Sequence, residues 1–205
     1  MGYANDDRGD EQAEGGVILA IDPGTTESAW VVLSAGKPVA HAKEPNHALL
    51  KRLRAGEHHP GFRDALTNLL AIEGIASYGM AVGKEVFETC MWSGRFREAW
   101  EYRGGAVQIV YRKEVKIFHC DTARANDANI RAALIDRFGG KEAAIGSKAS
   151  PGPLHGIKSD RWAALALALT AEGKPVAAPL FREPHHAETI DEQKQALEKF
   201  GEIPY

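Results

Sequence analysis

Apolar residues follow two rhythms along this chain, and the elements change where the rhythm changes. Residues 17–22 (VILAID) form an apolar, β-branched run that stops at Pro23-Gly24, a turn dipeptide, and residues 28–34 (SAWVVLS) resume with strand composition. This pattern predicts a hairpin. Ala35, Gly36 and Lys37 make a second turn, and residues 38–43 supply a third strand, giving an antiparallel meander. Asn46 then reads as the cap of a helix over residues 48–55, with Leu49, Leu50 and Leu53 on one face, and a second helical segment follows over 62–68.

Residues 69–73 (LLAIE) are apolar without alternation until the final acid, as expected of a strand covered on both faces. Over residues 84–102, Val86, Phe87, Cys90, Met91, Phe96 and Trp100 recur at mostly helical spacing. They predict a helix whose stripe is core, with Gly94 as a weak point and Gly104-Gly105 as its end. A strand over 106–111, a helix over 121–138 closed by Gly139-Gly140 and a Gly, Pro and Lys-rich loop over 141–158 follow. The last helix has Ser159 as its N-cap, Asp160 in its first turn and an Ala and Leu-rich body over 161–170 that should be well buried. The order β-β-β-α-β-α-β-α predicts an α/β fold. Its five-stranded mixed sheet has three antiparallel strands first and parallel strands afterwards, with helices on both faces.

At 205 residues, with 44% hydrophobic and 26% charged content, the chain fits one globular domain, expected over residues 16–175. No apolar run is long enough to span a bilayer and the start lacks the pattern of a signal peptide, so a cytoplasmic location is expected by default. Cys90 and Cys120 have no zinc-site spacing and read as free thiols. Charge is uneven: residues 1–15 carry a net −4, residues 95–161 a net +5 and residues 182–205 a net −3. Residues 1–15 are therefore expected to be an acidic, disordered tail and residues 176–205 an extension, with a short helix over 191–200 to which no role is assigned. The basic middle suits phosphate binding but is equally what a solvated face of mixed sign requires, so charge alone decides nothing.

Three acids change that picture. Asp22 ends the first strand, Glu73 ends the fourth and Asp160 opens the last helix. If the first and fourth strands are neighbours and the helix packs across them, the three carboxylates converge. Clustered carboxylates cannot all stay ionised near neutral pH without a compensating cation, and oxygen ligands favour magnesium or manganese. Two such ions about 4 Å apart activate water and stabilise the leaving oxygen of a phosphodiester. Taken singly, Asp22 is an ordinary turn residue, Asp160 a helix-dipole charge and Glu73 an exposed strand end. Only the combination points to chemistry. Lys148 and Lys158 in the loop before Asp160, with Arg112 and Lys116, are the candidate DNA contacts, and Tyr78 is a candidate for stacking on an unpaired base.

The segment ILAIDPGTTESAWVVL resembles the first strand-turn-strand of RuvC-type Holliday-junction resolvases, LLAIEG their fourth strand, and GPLHGIKSDRWAALALAL the helix that brings their last metal ligands. The three segments come in the same order, and the resemblance runs over about residues 17–171. It implies a ribonuclease H-like fold, a metal-dependent endonuclease with Asp22, Glu73 and Asp160 as ligands, and a homodimer that introduces paired nicks in branched DNA. One departure is clear: the bacterial pattern has two ligands three residues apart at the start of the last helix, and here Ala163 follows Asp160 at that spacing. His155 and Asp127 are the nearby alternatives, read respectively as a loop-bracing residue and a helix-start charge.

Two other readings compete. The DPGTT hairpin also resembles the phosphate loop of sugar-kinase and actin-like ATPases, but those close two such domains around a nucleotide, which 205 residues do not provide. A non-catalytic junction-binding protein is the third reading, suggested by the absent fourth acid.

Overall fold

The computed structural model describes residues 16–56, 62, 68–77, 79 and 81–174. The tail over 1–15, the extension over 176–205 with its expected helix, Tyr78 and most of the 62–68 segment lie outside the described residues. Three strands come first: β1 (Ile18–Asp22), β2 (Glu27–Ser34) and β3 (Lys37–Pro45). They are followed by α1 (Asn46–Ala55), β4 (Leu69–Gly74), α2 (Lys84–Glu101) and β5 (Ala106–Tyr111). The remainder is helical: α3 (Arg112–Cys120), α4 (Asp127–Arg137), α5 (Gly140–Ala144) and α6 (Arg161–Glu172). The strands form one sheet in the order β3-β2-β1-β4-β5, antiparallel across β3, β2 and β1 and parallel across β1, β4 and β5. This is the expected five-stranded mixed sheet.

Alternation along the strands divides the core in two. Ile18 and Ala20 of β1, with Leu69 and Ala71 of β4, pack beneath α6, α4 and α3. Leu19, Ile21, Leu70 and Ile72 face the other way, against Leu49 and Leu53 of α1 and Phe96 and Trp100 of α2. Because side chains alternate with a period of two, Asp22 and Glu73 follow the first set and emerge on the α6 side. α6 is buried along its length from Ala164 to Ala171, so its Ala and Leu-rich composition is that of a helix laid flat on a sheet. Among the described residues no helix is long and apolar enough to cross a membrane.

Several local expectations are corrected. Asn46 does not cap α1; it is the first helical residue, behind Pro45, and makes no capping bond. Its buried side chain reaches back to the β1–β2 turn, where Oδ1 accepts from Ser28 Oγ at 2.6 Å and Nδ2 donates to the Gly24 carbonyl at 2.9 Å. Gly24 in turn donates its N–H to Ser28 Oγ at 3.2 Å. A Cβ on Gly24 would lie 2.3 Å from the Glu27 carbonyl oxygen, so the turn that follows Asp22 closes only over glycine.

The stripe expected to be core along α2 is so only in its second half. Phe96 and Trp100 are fully buried, whereas Phe87 and Met91 are 60% and 65% exposed. Gly94 does not interrupt the helix. The helix expected over 121–138 begins at Asp127, capped by Asn126, because Asp121 takes a left-handed conformation that ends a separate helix, α3, over residues the sequence pattern left unassigned. α5 likewise falls inside the expected loop. Ser159 has φ +50° and does not cap α6; its hydroxyl donates instead to Asp160 Oδ1.

The buried Asn46 and Ser28 side chains satisfy one another and the turn backbone, so truncating one leaves orphaned polar groups. Asn46→Ala is expected to lower the unfolding free energy by about 1–3 kcal/mol, measured by urea denaturation. A loss below the error of that measurement would show that the network does not hold the turn.

Candidate active site

The parallel register pairs Ile21 with Ile72, so the next residues, Asp22 and Glu73, end adjacent strands side by side. Both line a cleft of about 610 Å³ whose far wall is the start of α6 and whose rim is α4. Asp160, Arg112, Asp127 and Arg131 line the same cleft, as does Ala163, one turn into α6. The three acids named from the sequence therefore share one space.

Their surroundings differ. The Asp22 carboxyl is pushed up to about 8, first by burial, then by the charge of Glu73 and a hydrogen bond with it, then by Asp160; Arg112 offsets part of this. Near neutral pH the Asp22 carboxyl therefore favours its protonated form. Asp160 is more open, and a hydrogen bond from Lys43 holds its carboxyl below the usual carboxylate range, helped by Ser159. Lys43 Nζ lies 2.6 Å from Asp160 Oδ2. With Asp160 engaged this way, no three Asp, Glu, His or Cys side chains among the described residues close on one point as a finished metal cage.

Two arginines stand among the acids. Arg112, at the start of α3, lies between Glu73, at 3.9 Å, and Asp127, with which it makes a close ion pair. Arg131 of α4 sits 4.9 Å over the ring of Trp162, which fixes its guanidinium at the cleft wall. Burial and the charge of Glu73 outweigh Arg112 at Asp22, so the Asp22–Glu73 pair stays crowded. Two crowded carboxyls with oxygen donors make a place that a cation binds with advantage, so these residues fit a hard divalent ion.

Of the four candidate DNA contacts, Arg112 alone lines the cleft. Lys148 and Lys158 are exposed in the loop ahead of α6, and Lys116 is half-buried on α3. Asp127 lies within the cleft but is committed to Arg112, and the His155 ring is 3.0 Å from the Ile145 carbonyl, bracing its own loop. Lys43 was not identified from the sequence. As the predicted end of an edge strand it looked like any solvated lysine, and nothing local pairs position 43 with position 160.

Solved structures of Thermus thermophilus RuvC resemble this chain in fold. One matches at TM-score 0.51 with 19% identity, covering 75% of this chain and 92% of that one. A second, of T. thermophilus RuvC in complex with a Holliday junction substrate, matches at TM-score 0.54 with 22% identity, covering 76% and 92%. This chain has the RuvC fold. No protein-family model matches it, and no curated protein does. The RuvC architecture survives at such low identity because cores accept extensive apolar exchange when volume and pattern are kept.

A carboxyl whose folded pKa exceeds its unfolded value contributes stability that is present at low pH and lost as pH rises. For Asp22 that window runs from 3.8 to about 8. In the presence of a chelator, Asp22→Asn should therefore melt several degrees above the wild type at pH 8, with the gap closing toward pH 4. Scanning fluorimetry across that range checks it, and an Asp22→Asn variant no more stable than wild type at pH 8 would contradict the burial and crowding of Asp22.

Proposed function

We propose that the chain is a structure-selective endodeoxyribonuclease that resolves four-way or related branched DNA junctions by paired, divalent-metal-dependent phosphodiester hydrolysis. The observation that carries this reading is the meeting of Asp22 and Glu73 at the ends of neighbouring parallel strands, with Asp160 in the same cleft. The shared RuvC fold, seen in a protein solved with a Holliday junction substrate, supports the choice of substrate.

Asp22 and Glu73 would hold the ion, with Asp160 facing it across the cleft. A magnesium or manganese ion there supplies activation of water and neutralisation of charge at the scissile phosphate. The remaining work falls to the chain. Arg112 orients the Glu73 carboxyl, and the turn locked by Ser28 and Asn46 holds Asp22 at the end of β1. Lys148, Lys158, Arg112 and Lys116 supply positive charge for the DNA backbone, which positions the duplex arms without reading sequence.

Paired nicks need two copies of the site, so the reading includes a homodimer. Phe87 and Met91 on α2 provide exposed apolar surface for a second copy. Replacing both with Asp is expected to convert a dimer into a monomer in sedimentation and to turn paired cuts into single nicks. A wild type that sediments as a monomer even on junction DNA would remove the dimer from this account.

The wild type with magnesium or manganese should nick a synthetic four-way junction symmetrically and leave linear duplex intact. Asp22→Asn, Glu73→Gln or Asp160→Asn should each lower cleavage by about 10²–10³-fold. The same changes should tighten metal-free binding, because each removes negative charge beside the phosphate. The engagement of Asp160 by Lys43 and the methyl group of Ala163 favour one other reading, a junction-binding protein without catalysis. Tight binding with no cutting by the wild type in either metal would establish it.

A further inference from the structure

We propose that Lys43 takes the place of a second metal ion in this cleft, so that each chain holds a single divalent cation, between Asp22 and Glu73. The proposal rests on the nuclease reading and replaces the expectation of two ions.

The charges decide it. Asp22, Glu73, Asp127 and Asp160 meet Arg112 and Arg131 within the cleft, and Lys43 stands at its edge with Glu27 acting on it, which leaves two net negative charges when all five acids are ionised. One divalent ion neutralises that balance. A second would leave two net positive charges and would face an ammonium group already 2.6 Å from the carboxylate it needs. No other acid stands in for that ligand: Ala163 presents a methyl group and Asp127 is bound to Arg112.

Lys43 is also built to serve. It projects from β3, which pairs with β2 in fixed register, so its ammonium is carried by the sheet rather than by a loop. An ammonium has three donors, and only one is needed for Asp160 Oδ2. The others can meet a phosphate oxygen as a point charge, the part that a second ion would otherwise play.

Counting bound Mn²⁺ on the full chain by electron paramagnetic resonance tests this without reference to cleavage. The wild type should bind one ion per chain, Lys43→Arg one, and Lys43→Met two, since the neutral side chain releases Asp160. Two ions on the wild type, or one on Lys43→Met, would overturn the role of Lys43 and leave the nuclease reading standing. No ion on the wild type at millimolar Mn²⁺ would overturn both. Lys43 is 38% exposed, so the variants should fold, and the wild-type count alone decides the stoichiometry.

Discussion

Two carboxyl groups are pressed together where β1 and β4 end, and neither can retreat. Each terminates a run of apolar residues buried on both faces of the sheet, so moving one acid away means sliding a strand out of register and exposing its core residues. The repulsion is therefore a fixed property of the fold. Protonation of Asp22 or a bound cation relieves it further than Arg112 does, so the crowding sits at the ends of these two strands while the rest of the sheet holds the packing.

The neighbouring elements can be understood as answers to that pressure. Asn46, Ser28 and Gly24 lock the turn behind Asp22 from the far side of β2, so the acid sits on a braced hairpin. α3 begins immediately after β5 and delivers Arg112 to Glu73 and Asp127, while α4 brings Arg131 over Trp162. β3 supplies Lys43 to Asp160. Asp160 thus has its own base, while Arg112 serves both Asp127 and Glu73, and Asp22 is the acid left most crowded. This distribution differs from a ring of equivalent ligands, in which no acid would have a protein cation of its own.

The two sides of the sheet carry different duties. The side under α6 ends in the acidic cleft. The opposite side is closed by the second half of α2, but the first half of that helix leaves Phe87 and Met91 in the open. The first half of that helix thus carries large apolar side chains that stay exposed among the described residues.

The strands, their order of appearance, the buried last helix and the positions of Asp22, Glu73 and Asp160 at element ends were all legible in the sequence. Burial imposes strict periodicity on a chain, and a charge that interrupts an apolar run stands out. The helix boundaries around residues 112–127 were not legible, because the left-handed turn at Asp121 is a conformation and not a composition. Nor was the fate of Phe87 and Met91, since helical spacing states that residues share a face and not whether anything covers it. Asn46 resembled a cap because its type suits one; only the fold brought the turn at Gly24 within its reach. The pairing of Lys43 with Asp160 spans 117 residues and exists because a sheet edge and a helix start happen to meet. The sequence by itself determined which positions alternate along a strand or share a helix face and which acids lie at element ends, because both are local. Tertiary structure alone decided which charges face one another, because a contact between distant residues is set by topology and leaves no mark on the residues beside either one.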